Sequence, residues 1–457
     1  MGLYLKLAFG NVRRSACDYS VYFATLGFAA CLLYSFVASS DYLNRLDLSP
    51  DQMGVVASSG DILQAFSIFT VLVFLFLVRY ANRFLLRRRS REFALYKLVG
   101  MDRGAVSCVL VMETACVGVL ALALGVLLGV ALSPAFGAIT AFVFDVPWRP
   151  MVVFSSQSAV WTSGCFAAVF ALNAYDGARN IGRRPLIELI AAERAPEEVA
   201  STGGRLARGV QVAVAAVLLA VVWGACVFQP VYFIAFIIPM GFAACFATAL
   251  VARIVVTGWA ARARRRTERY WWGLRAFTVR QVEARVASSS MALACVCVLI
   301  AVSVCMMVAG FAFSVGMRTP ELVSQGLATS MAPIGFIGIF YGSVFLLSAV
   351  AVLSLQQLSG AADARHAYAS LTKLGCERAD MALSVRKQVL LCFAAPFAGA
   401  MVHDVFGLFL VAFLAFALGT SGFFAITGGV LLFTAALLAV YGVLTSLAVE
   451  HLCLADA

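Results

Sequence analysis

Ten long apolar stretches constrain the fold of this chain more than any other feature of its sequence. A helix needs roughly 20 apolar residues to cross a hydrocarbon core of about 30 Å. Only 12% of the residues are charged and 63% are hydrophobic, whereas a soluble domain carries about twice that charged share. We therefore predict an all-α integral membrane protein. The predicted spans are Cys17–Ala38, Ile62–Asn82, Ala105–Leu132, Phe154–Ala174, Val210–Phe228, Val231–Ile254, Met291–Phe313, Pro333–Leu355, Val389–Leu418 and Phe424–Leu447.

The distribution of basic residues predicts the orientation of these spans. Positively charged loops are retained on the cytoplasmic side of a membrane. With both termini inside, only Arg45, Arg149 and Arg318 face outward. The net charge of +11 is thus a topology signal, and it does not indicate nucleic-acid binding because no soluble basic domain carries it. We predict an N-in, C-in protein whose first span is retained rather than cleaved as a signal peptide.

Two short blocks of sequence occur twice. FALYKLVGMDR at Phe93–Arg103 resembles YASLTKLGCER at Tyr368–Arg378, 275 positions later. AFGNVRR at Ala8–Arg14 resembles AFTVRQ at Ala276–Gln281 with one residue missing, and each of these precedes a long apolar stretch. One supersecondary unit has therefore been used twice.

This internal repeat predicts the organisation of the chain. Residues 1–175 and 257–457 are expected to form two related four-helix units. Residues 176–256 are expected to hold an amphipathic cytoplasmic connector followed by a two-helix hairpin. The ten spans would then have a 4+2+4 arrangement. The connector fits either a plain linker or a partner-binding helix at the membrane surface.

Both copies of the longer block lie at the cytoplasmic end of a span. In the first copy a basic helix is expected to continue past the membrane, Gly100 can end it in a left-handed turn, and Asp102 can cap the next helix. Such a rigid turn suits docking of a cytosolic protein, although clustered arginines also attract anionic lipids. The second copy has lost most of the arginines but keeps the turn at Lys373–Arg378, which favours docking of a protein.

Motifs for catalysis and for binding nucleotides or metals are missing from the sequence. No lysine follows a glycine, so there is no Gly-Lys-Ser/Thr phosphate-binding loop. The three histidines form no His-Glu-x-x-His pair, and no Gly-x-Ser-x-Gly motif occurs. The cysteines lie mostly in spans, where small buried thiols are common. We therefore predict a chain that is not an enzyme and has no nucleotide site, metal or cofactor of its own.

Charged residues within a membrane span are costly and mark functional candidates. Glu113 lies in the third span, and Gln388 occupies the equivalent position 275 residues later, beside Arg386 and Lys387. We hypothesise that Glu113 contacts Arg386 or Lys387.

His403 and Asp404 are two further candidates, midway along the ninth span. A proton relay is conceivable there. A role in helix packing or in a kink near Pro396 is the favoured interpretation.

Small residues predict where helices approach closely. Gly125-x-x-x-Gly129 and Gly338-x-x-x-Gly342 each place two glycines on one helix face. We expect packing at these faces, and sliding during gating is the alternative.

Three segments resemble a known family. They are RSREFALYKLVGMDRGAVSCVLVMET at Arg89–Thr114, YWWGLRAFTVRQVEARVASSSM at Tyr270–Met291 and HAYASLTKLGCERADMALSVRKQVLL at His366–Leu391. The chain resembles the FtsX-like, MacB-type permeases of ABC transporters, and especially the ten-helix permeases of the bacitracin-resistance type (BceB-like). These relatives carry a large extracellular domain between the seventh and eighth helices, where this chain has only about Ser314–Ala332.

The resemblance implies a permease subunit in a bacterial cell membrane. It would work with two separate cytosolic ATPase subunits. ATP hydrolysis by these subunits would drive export, extraction or removal of an amphiphilic substrate, such as an antimicrobial peptide or a lipid-linked molecule. ATP and Mg would be bound by the partner ATPase. A second permease and a sensor histidine kinase are the other candidate partners, besides the lipid bilayer. The implied coupling residues are Glu92, Phe93, Tyr96, Lys97, Gly100, Asp102, Arg103, Tyr368, Lys373, Gly375, Glu377 and Arg378.

Two other functions remain open on the sequence. A non-transporting relay controlled by an ATPase would use the same turns but would move no substrate. A proton-coupled secondary transporter would centre on Glu113, His403 and Asp404, and it leaves the repeated cytoplasmic turns unexplained.

Overall fold

The computed structural model describes residues 10–11, 16–43, 71, 75, 78–79, 82, 85–86, 89–144, 148, 150–152, 154–183, 205–320 and 327–454. These residues form helices and turns, and no strand occurs among them. The predicted all-α fold is confirmed. The helices are α1 (Ala16–Leu43), α2 (Ser90–Leu98), α3 (Arg103–Phe144), α4 (Ser156–Arg183), α5 (Arg205–Phe228), α6 (Pro230–Ala235), α7 (Ile237–Arg265), α8 (Thr267–Tyr270), α9 (Arg275–Ser314), α10 (Leu327–Lys373), α11 (Arg378–Ala417) and α12 (Phe423–Leu454).

Seven of the described helices are long and apolar enough to cross a membrane. A shorter apolar stretch, Tyr22–Ser35, lies in α1. The predicted fourth span coincides with α4, which is not among the seven, and most of the predicted second span lies outside the described residues. The membrane fold is confirmed, whereas the count of ten spans stays a prediction. The seven candidate spans are Gly104–Val143, Arg208–Phe228, Ile237–Arg265, Ser289–Ser314, Met331–Leu358, Arg378–Ala417 and Phe423–Leu454.

The predicted sixth span is interrupted. The chain leaves helical geometry at Phe236, with φ −109° and ψ 29°, between α6 and α7. Pro239 lies in the first turn of α7 and has no N–H to bond back to the carbonyl of Ala235, so α6 cannot run straight into α7. The membrane-crossing helix therefore begins at Ile237 rather than Val231.

Two helices extend well beyond the predicted spans. α3 has 42 residues and continues past Leu132 to Phe144 with Pro134 inside it. α10 has 47 residues and runs without a break from its span to Lys373. Continuity of α10 means that the second repeated turn is attached directly to a membrane helix.

The chain divides into two compact units. Unit 1 comprises residues 1–195 and 325–336, and unit 2 comprises residues 196–324 and 337–457. In unit 1, α3 packs closely on α1 and α4. In unit 2, α9 packs on α7 and α11, and α11 packs on α12.

Both predicted small-residue faces are close helix contacts. A Cβ atom on Gly125 would lie 2.5 Å from the carbonyl oxygen of Gly27, so α3 meets the backbone of α1 there. A Cβ atom on Gly338 would lie 2.6 Å from the Met306 carbonyl oxygen, so α10 meets α9 in the same way in unit 2. The packing interpretation of both glycine motifs is confirmed.

Candidate functional site

The first repeated turn joins α2 to α3. Gly100 has φ +93°, which a residue with a side chain rarely adopts, and the N–H of Met101 bonds to the Tyr96 carbonyl at 3.0 Å. The Asp102 carboxylate accepts a hydrogen bond from the Gly104 N–H at 3.3 Å and so caps α3. The left-handed turn and the cap predicted from the sequence are both present.

The inner face of α2 is fixed to α3 by apolar packing. Phe93 is fully buried and contacts Val106 and Leu110 of α3. Tyr96 and Met101 pack against the same cluster. The short helix α2 is therefore attached to the base of a membrane helix and cannot tilt freely.

The outer face of α2 ends in exposed apolar side chains. Leu95, Leu98 and Val99 are 57%, 58% and 84% exposed. We call these three residues the first tip. A contiguous apolar patch at the end of a rigid turn is typical of a protein-binding surface.

A buried ion pair lies behind the first tip. Arg89 is 1% exposed and Glu113 is 0% exposed, and the Arg89 guanidinium donates to both oxygens of the Glu113 carboxylate. Arg89 also donates from Nε to Glu92 at 2.9 Å and lies over the Phe93 ring. Removing one partner of such a pair leaves an unpaired buried charge and costs about 3–5 kcal/mol. The pair therefore joins α2 rigidly to α3.

Asn11 completes this first junction. Its amide donates to Glu113 Oε1 at 2.7 Å and to the Tyr96 hydroxyl at 2.9 Å. Burial raises the pKa of the Tyr96 hydroxyl above the ordinary tyrosine value, against the opposing effect of the Asn11 hydrogen bond. Tyr96 therefore stays neutral near pH 7. We define the first junction as Asn11, Arg89, Glu92, Tyr96 and Glu113.

The second repeated turn joins α10 to α11. Gly375 has φ +83°, and the N–H of Cys376 bonds to the Leu371 carbonyl at 3.1 Å. Leu374 is 79% exposed and forms the second tip. Glu377 precedes α11 in extended geometry, but its side chain makes no capping hydrogen bond, unlike Asp102 in the first turn.

A buried polar junction also lies behind the second tip. Gln388 donates to the Tyr368 hydroxyl at 3.2 Å and to Ser384 Oγ at 3.2 Å. The Ser384 hydroxyl lies 2.7 Å from that of Thr278, on α9. Burial raises the pKa of Tyr368 above its ordinary value. We define the second junction as Thr278, Tyr368, Ser384 and Gln388, all of which are neutral.

The hypothesis that Glu113 contacts Arg386 or Lys387 concerns residues of different units, and it stays a prediction. Glu113 pairs with Arg89, 24 residues earlier in the same unit. Arg386 pairs with Glu450 of α12, with Nε 2.7 Å from the carboxylate, and Lys387 is exposed. Glu113 and Arg386 thus each pair with a residue of their own unit.

His403 makes contacts that tie helices together. Its Nε2 lies 2.9 Å from Thr248 Oγ1, and Trp223 donates to its Nδ1 at 3.2 Å. Thr248 uses its own proton to bond to Ala244, which leaves Nε2 of His403 as the donor and assigns a neutral ring. Both ring nitrogens thus hold α11 to α5 and α7. This arrangement favours the packing interpretation of His403.

Asp404 has a different environment from its neighbour. It is buried, and Oδ1 accepts a long contact from the Cys305 thiol at 3.5 Å. Its Oδ2 is buried and has no hydrogen-bond partner among the described residues. Asp404 is therefore a polar group whose hydrogen-bonding capacity is only half used.

The remaining predicted coupling residues surround the two turns. Lys97 is partly exposed and Lys373 is exposed, and Arg103 begins α3. Arg378 begins α11, and its guanidinium donates to the backbone carbonyl of Leu454 at 3.4 Å. The structure thus groups the predicted residues at two separate turns, one in each unit.

Sequence reasoning did not single out Arg89 and Asn11 of the first junction, or Thr278 of the second. In the sequence, Arg89 is only one of several arginines in a basic stretch, and Asn11 is only part of the shorter repeat. Aligning the repeats would have shown a signal. Asn11 aligns with Thr278, and Glu113 aligns with Gln388, so each junction uses corresponding positions.

Comparison with known proteins identifies a shared domain. Residues 64–174 match the family described as FtsX-like permease C-terminal. The chain is 26% identical over 167 residues to the bacitracin export permease protein BceB of Bacillus subtilis (strain 168), covering 36% of this chain and 25% of that protein. It is 23% identical over 172 residues to the ABC transporter permease protein YxdM of the same organism, covering 38% and 27%.

The BceB protein of Halalkalibacterium halodurans is 25% identical over 165 residues, covering 35% of this chain and 24% of that protein. The chain therefore aligns with about a quarter of the length of the curated relatives it matches. The resemblance inferred from the sequence motifs is confirmed. With the apolar helices, these matches identify a multi-pass protein of the cell membrane.

Proposed function

Because this chain contains an FtsX-like permease domain, we propose that it is the permease subunit of an ABC transporter and that cytosolic ATPases dock at its two tips. One observation carries the proposal. Each unit presents exposed leucine at a turn closed by a left-handed glycine, and each turn is backed by a buried polar junction to a membrane helix. Such a turn can accept a partner and pass its movement to the membrane.

The chemistry of ATP hydrolysis belongs to the partner under this proposal. The chain has no Gly-Lys-Ser/Thr loop to hold phosphates, so ATP and Mg²⁺ would bind to the ATPase subunits. Two tips, one in each unit, suit two ATPase subunits. The role of this chain is then mechanical: it converts the closure and opening of the ATPases into movement of its spans.

An amphiphilic molecule is the substrate class that we propose. Of the relatives, BceB is named as a bacitracin export permease and YxdM as an ABC transporter permease. A substrate with an apolar part and a polar part partitions into a bilayer and can reach a permease from within the membrane. Antimicrobial peptides and lipid-linked molecules both fit this description.

Binding and stimulation of the ATPase test the proposal. The full chain in lipid nanodiscs is mixed with a candidate ABC ATPase from the same organism, and the dissociation constant and hydrolysis rate are measured. The Leu95→Asp/Val99→Asp variant should weaken binding at least about tenfold, because a typical interface hot spot contributes about 2 kcal/mol or more. Val152→Asp is the matched control, since Val152 is similarly exposed and belongs to neither tip.

Two results would contradict the proposal. If the unaltered chain neither binds the ATPase nor changes its rate, this chain is not its permease. If the tip variant binds as well as the control, the docking surface lies elsewhere. Flux of a labelled amphiphilic peptide across reconstituted vesicles separates a transporter from a relay that moves no substrate.

A further inference from the structure

The two junctions occupy corresponding positions in the two units but have opposite electrical character. Glu113 and Gln388 are 275 positions apart, and both lie in the helix that follows the docking turn. Asn11 and Thr278 align in the shorter repeat, and each contacts its junction from the segment just before the first span of its predicted four-helix repeat. The first junction therefore contains a charged pair, whereas the second junction, at the corresponding position, contains only neutral groups.

The first junction resists separation more strongly than the second. Pulling α2 from α3 would separate Arg89 from Glu113 and so break a buried ion pair. The bonds of Gln388 join neutral groups at 3.2 Å, which are weaker than charge-assisted bonds. Arg285 bonds to Gln357 at 2.6 Å and packs on Gly360 of α10.

The first tip and the ion pair belong to one short rigid body. α2 has nine residues, with the tip on one face and Phe93 and Tyr96 on the other. Arg89 immediately precedes α2 and bonds to Glu92 one turn along it. A force on the tip therefore reaches Glu113 through Arg89, and reaches it again through Tyr96 and Asn11.

We infer that Arg89 and Glu113 are positioning residues that transmit movement of the first tip to α3, and that the two tips are unequal, with the first giving the tighter mechanical link. This inference rests on the proposed function, because it concerns how a docked ATPase drives the spans. Under this inference the first junction transmits movement after the ATPase has bound, and it does not contribute to the affinity of binding. Loss of the ion pair should separate binding from stimulation.

The test uses the full chain in nanodiscs with its ATPase. The Arg89→Gln/Glu113→Gln variant removes both charges together, which avoids stranding one of them. We expect an unchanged dissociation constant and a permease-dependent stimulation reduced at least about fivefold, the lower end of typical coupling between sites. The matched control is Arg386→Gln/Glu450→Gln, which removes the exposed pair of unit 2 and should keep stimulation within about twofold.

A merely stabilising pair gives a different pattern. In that case the unfolding temperature falls while the folded variant still stimulates its ATPase fully, and the inference is overturned. If the double variant does not fold, Arg89→Lys decides. Lysine keeps the charge but cannot bond to Glu92 and Glu113 in the forked manner of a guanidinium. Its stimulation should fall at unchanged binding, and full stimulation would overturn the inference.

Failure of the proposed function is distinguishable from failure of this inference. If the unaltered chain gives no binding and no stimulation, the proposed function fails and the inference fails with it. If the unaltered chain stimulates its ATPase and the Arg89 and Glu113 variants do so equally well, only the inference fails.

Discussion

Asp404 shows how a single buried carboxyl group can be tested. Its Oδ2 has no partner in the described part of the chain, and an unpaired charge in an apolar interior is strongly unfavourable. We therefore expect Asp404→Asn, which has the same shape and no charge, to unfold at the same temperature as the unaltered protein or a higher one. Thermal unfolding in detergent micelles measures this. A clear drop in the unfolding temperature would contradict this expectation.

Gly125 permits a prediction about close helix packing. A methyl group there would lie 2.5 Å from a backbone oxygen of α1, which cannot move aside as a flexible side chain can. Gly125→Ala should destabilise the protein by about 1–3 kcal/mol through overpacking. Gly164→Ala in α4 is the control, since nothing lies within 4 Å of that site. The control should gain roughly 0.5–1 kcal/mol because alanine favours a helix over glycine.

Chemical denaturation followed by the helical signal in circular dichroism compares these two glycine variants. Equal stability of both would show that α1 and α3 do not approach each other as closely as described.

At the scale of single residues, the sequence predicted where helices pack closely, but it did not predict which residue pairs with Glu113. The glycine motifs were predicted correctly because small size at a spacing of four is itself the physical cause of close packing. The partner of Glu113 could not be predicted, since Arg89 lies among several other arginines whose chemistry is identical. Only the folded path of the chain shows that the Arg89 guanidinium bonds to Glu113.

At the scale of elements, the two docking turns depend on left-handed glycines. Gly100 and Gly375 have φ values of +93° and +83°, and a residue with a Cβ atom loses roughly 1–2 kcal/mol in that region. Gly100→Ala and Gly375→Ala should therefore lower stability and reduce ATPase stimulation. Gly428→Ala, within α12 and with nothing within 4 Å, should do neither.

Hydrolysis rate and thermal unfolding, measured on the same preparations, compare these three turn and control variants. If alanine is tolerated at both turns as well as at Gly428, the left-handed geometry is not needed for docking.

Element boundaries were predicted less well than element identity. Apolar length indicates where a helix crosses the membrane, but α3 and α10 continue beyond their predicted spans, and helix propensity and packing decide where they end. α7 begins late for a local reason, the missing N–H of Pro239. The turn at Gly100 was predicted because glycine and a capping aspartate act over a few residues and need no tertiary information.

At the scale of the whole molecule, orientation is the property that most needs a direct measurement. The basic loops predict that both termini face the cytoplasm. A green fluorescent protein fused after the last residue should fluoresce, and alkaline phosphatase fused there should be inactive. Fusions placed in the loop near Trp148 should give the reverse pattern, since that loop is predicted to face outward. Active phosphatase at the C terminus would invert the topology and place both tips outside the cell.

The repeat predicts two related four-helix units, which stays a prediction, and it does not predict the difference between the two junctions. Corresponding positions were visible in the sequence, including Glu113 and Gln388. What those positions contact depends on side chains supplied by other segments, and these diverged after duplication. A charged junction and a neutral one can therefore lie behind turns of the same shape.

The uninterrupted length of α10 has a geometric consequence. It continues for 15 residues beyond Leu358, where its apolar span ends, and at 1.5 Å per residue this extension is about 22 Å long. A rotation of about 10° around the end of the span would displace Leu374 by roughly 4 Å on a straight helix of that length. The helix is then a lever arm with its fulcrum at the membrane surface. Movement of a partner at Leu374 would therefore tilt the apolar span itself, whose 28 residues form the other and longer arm.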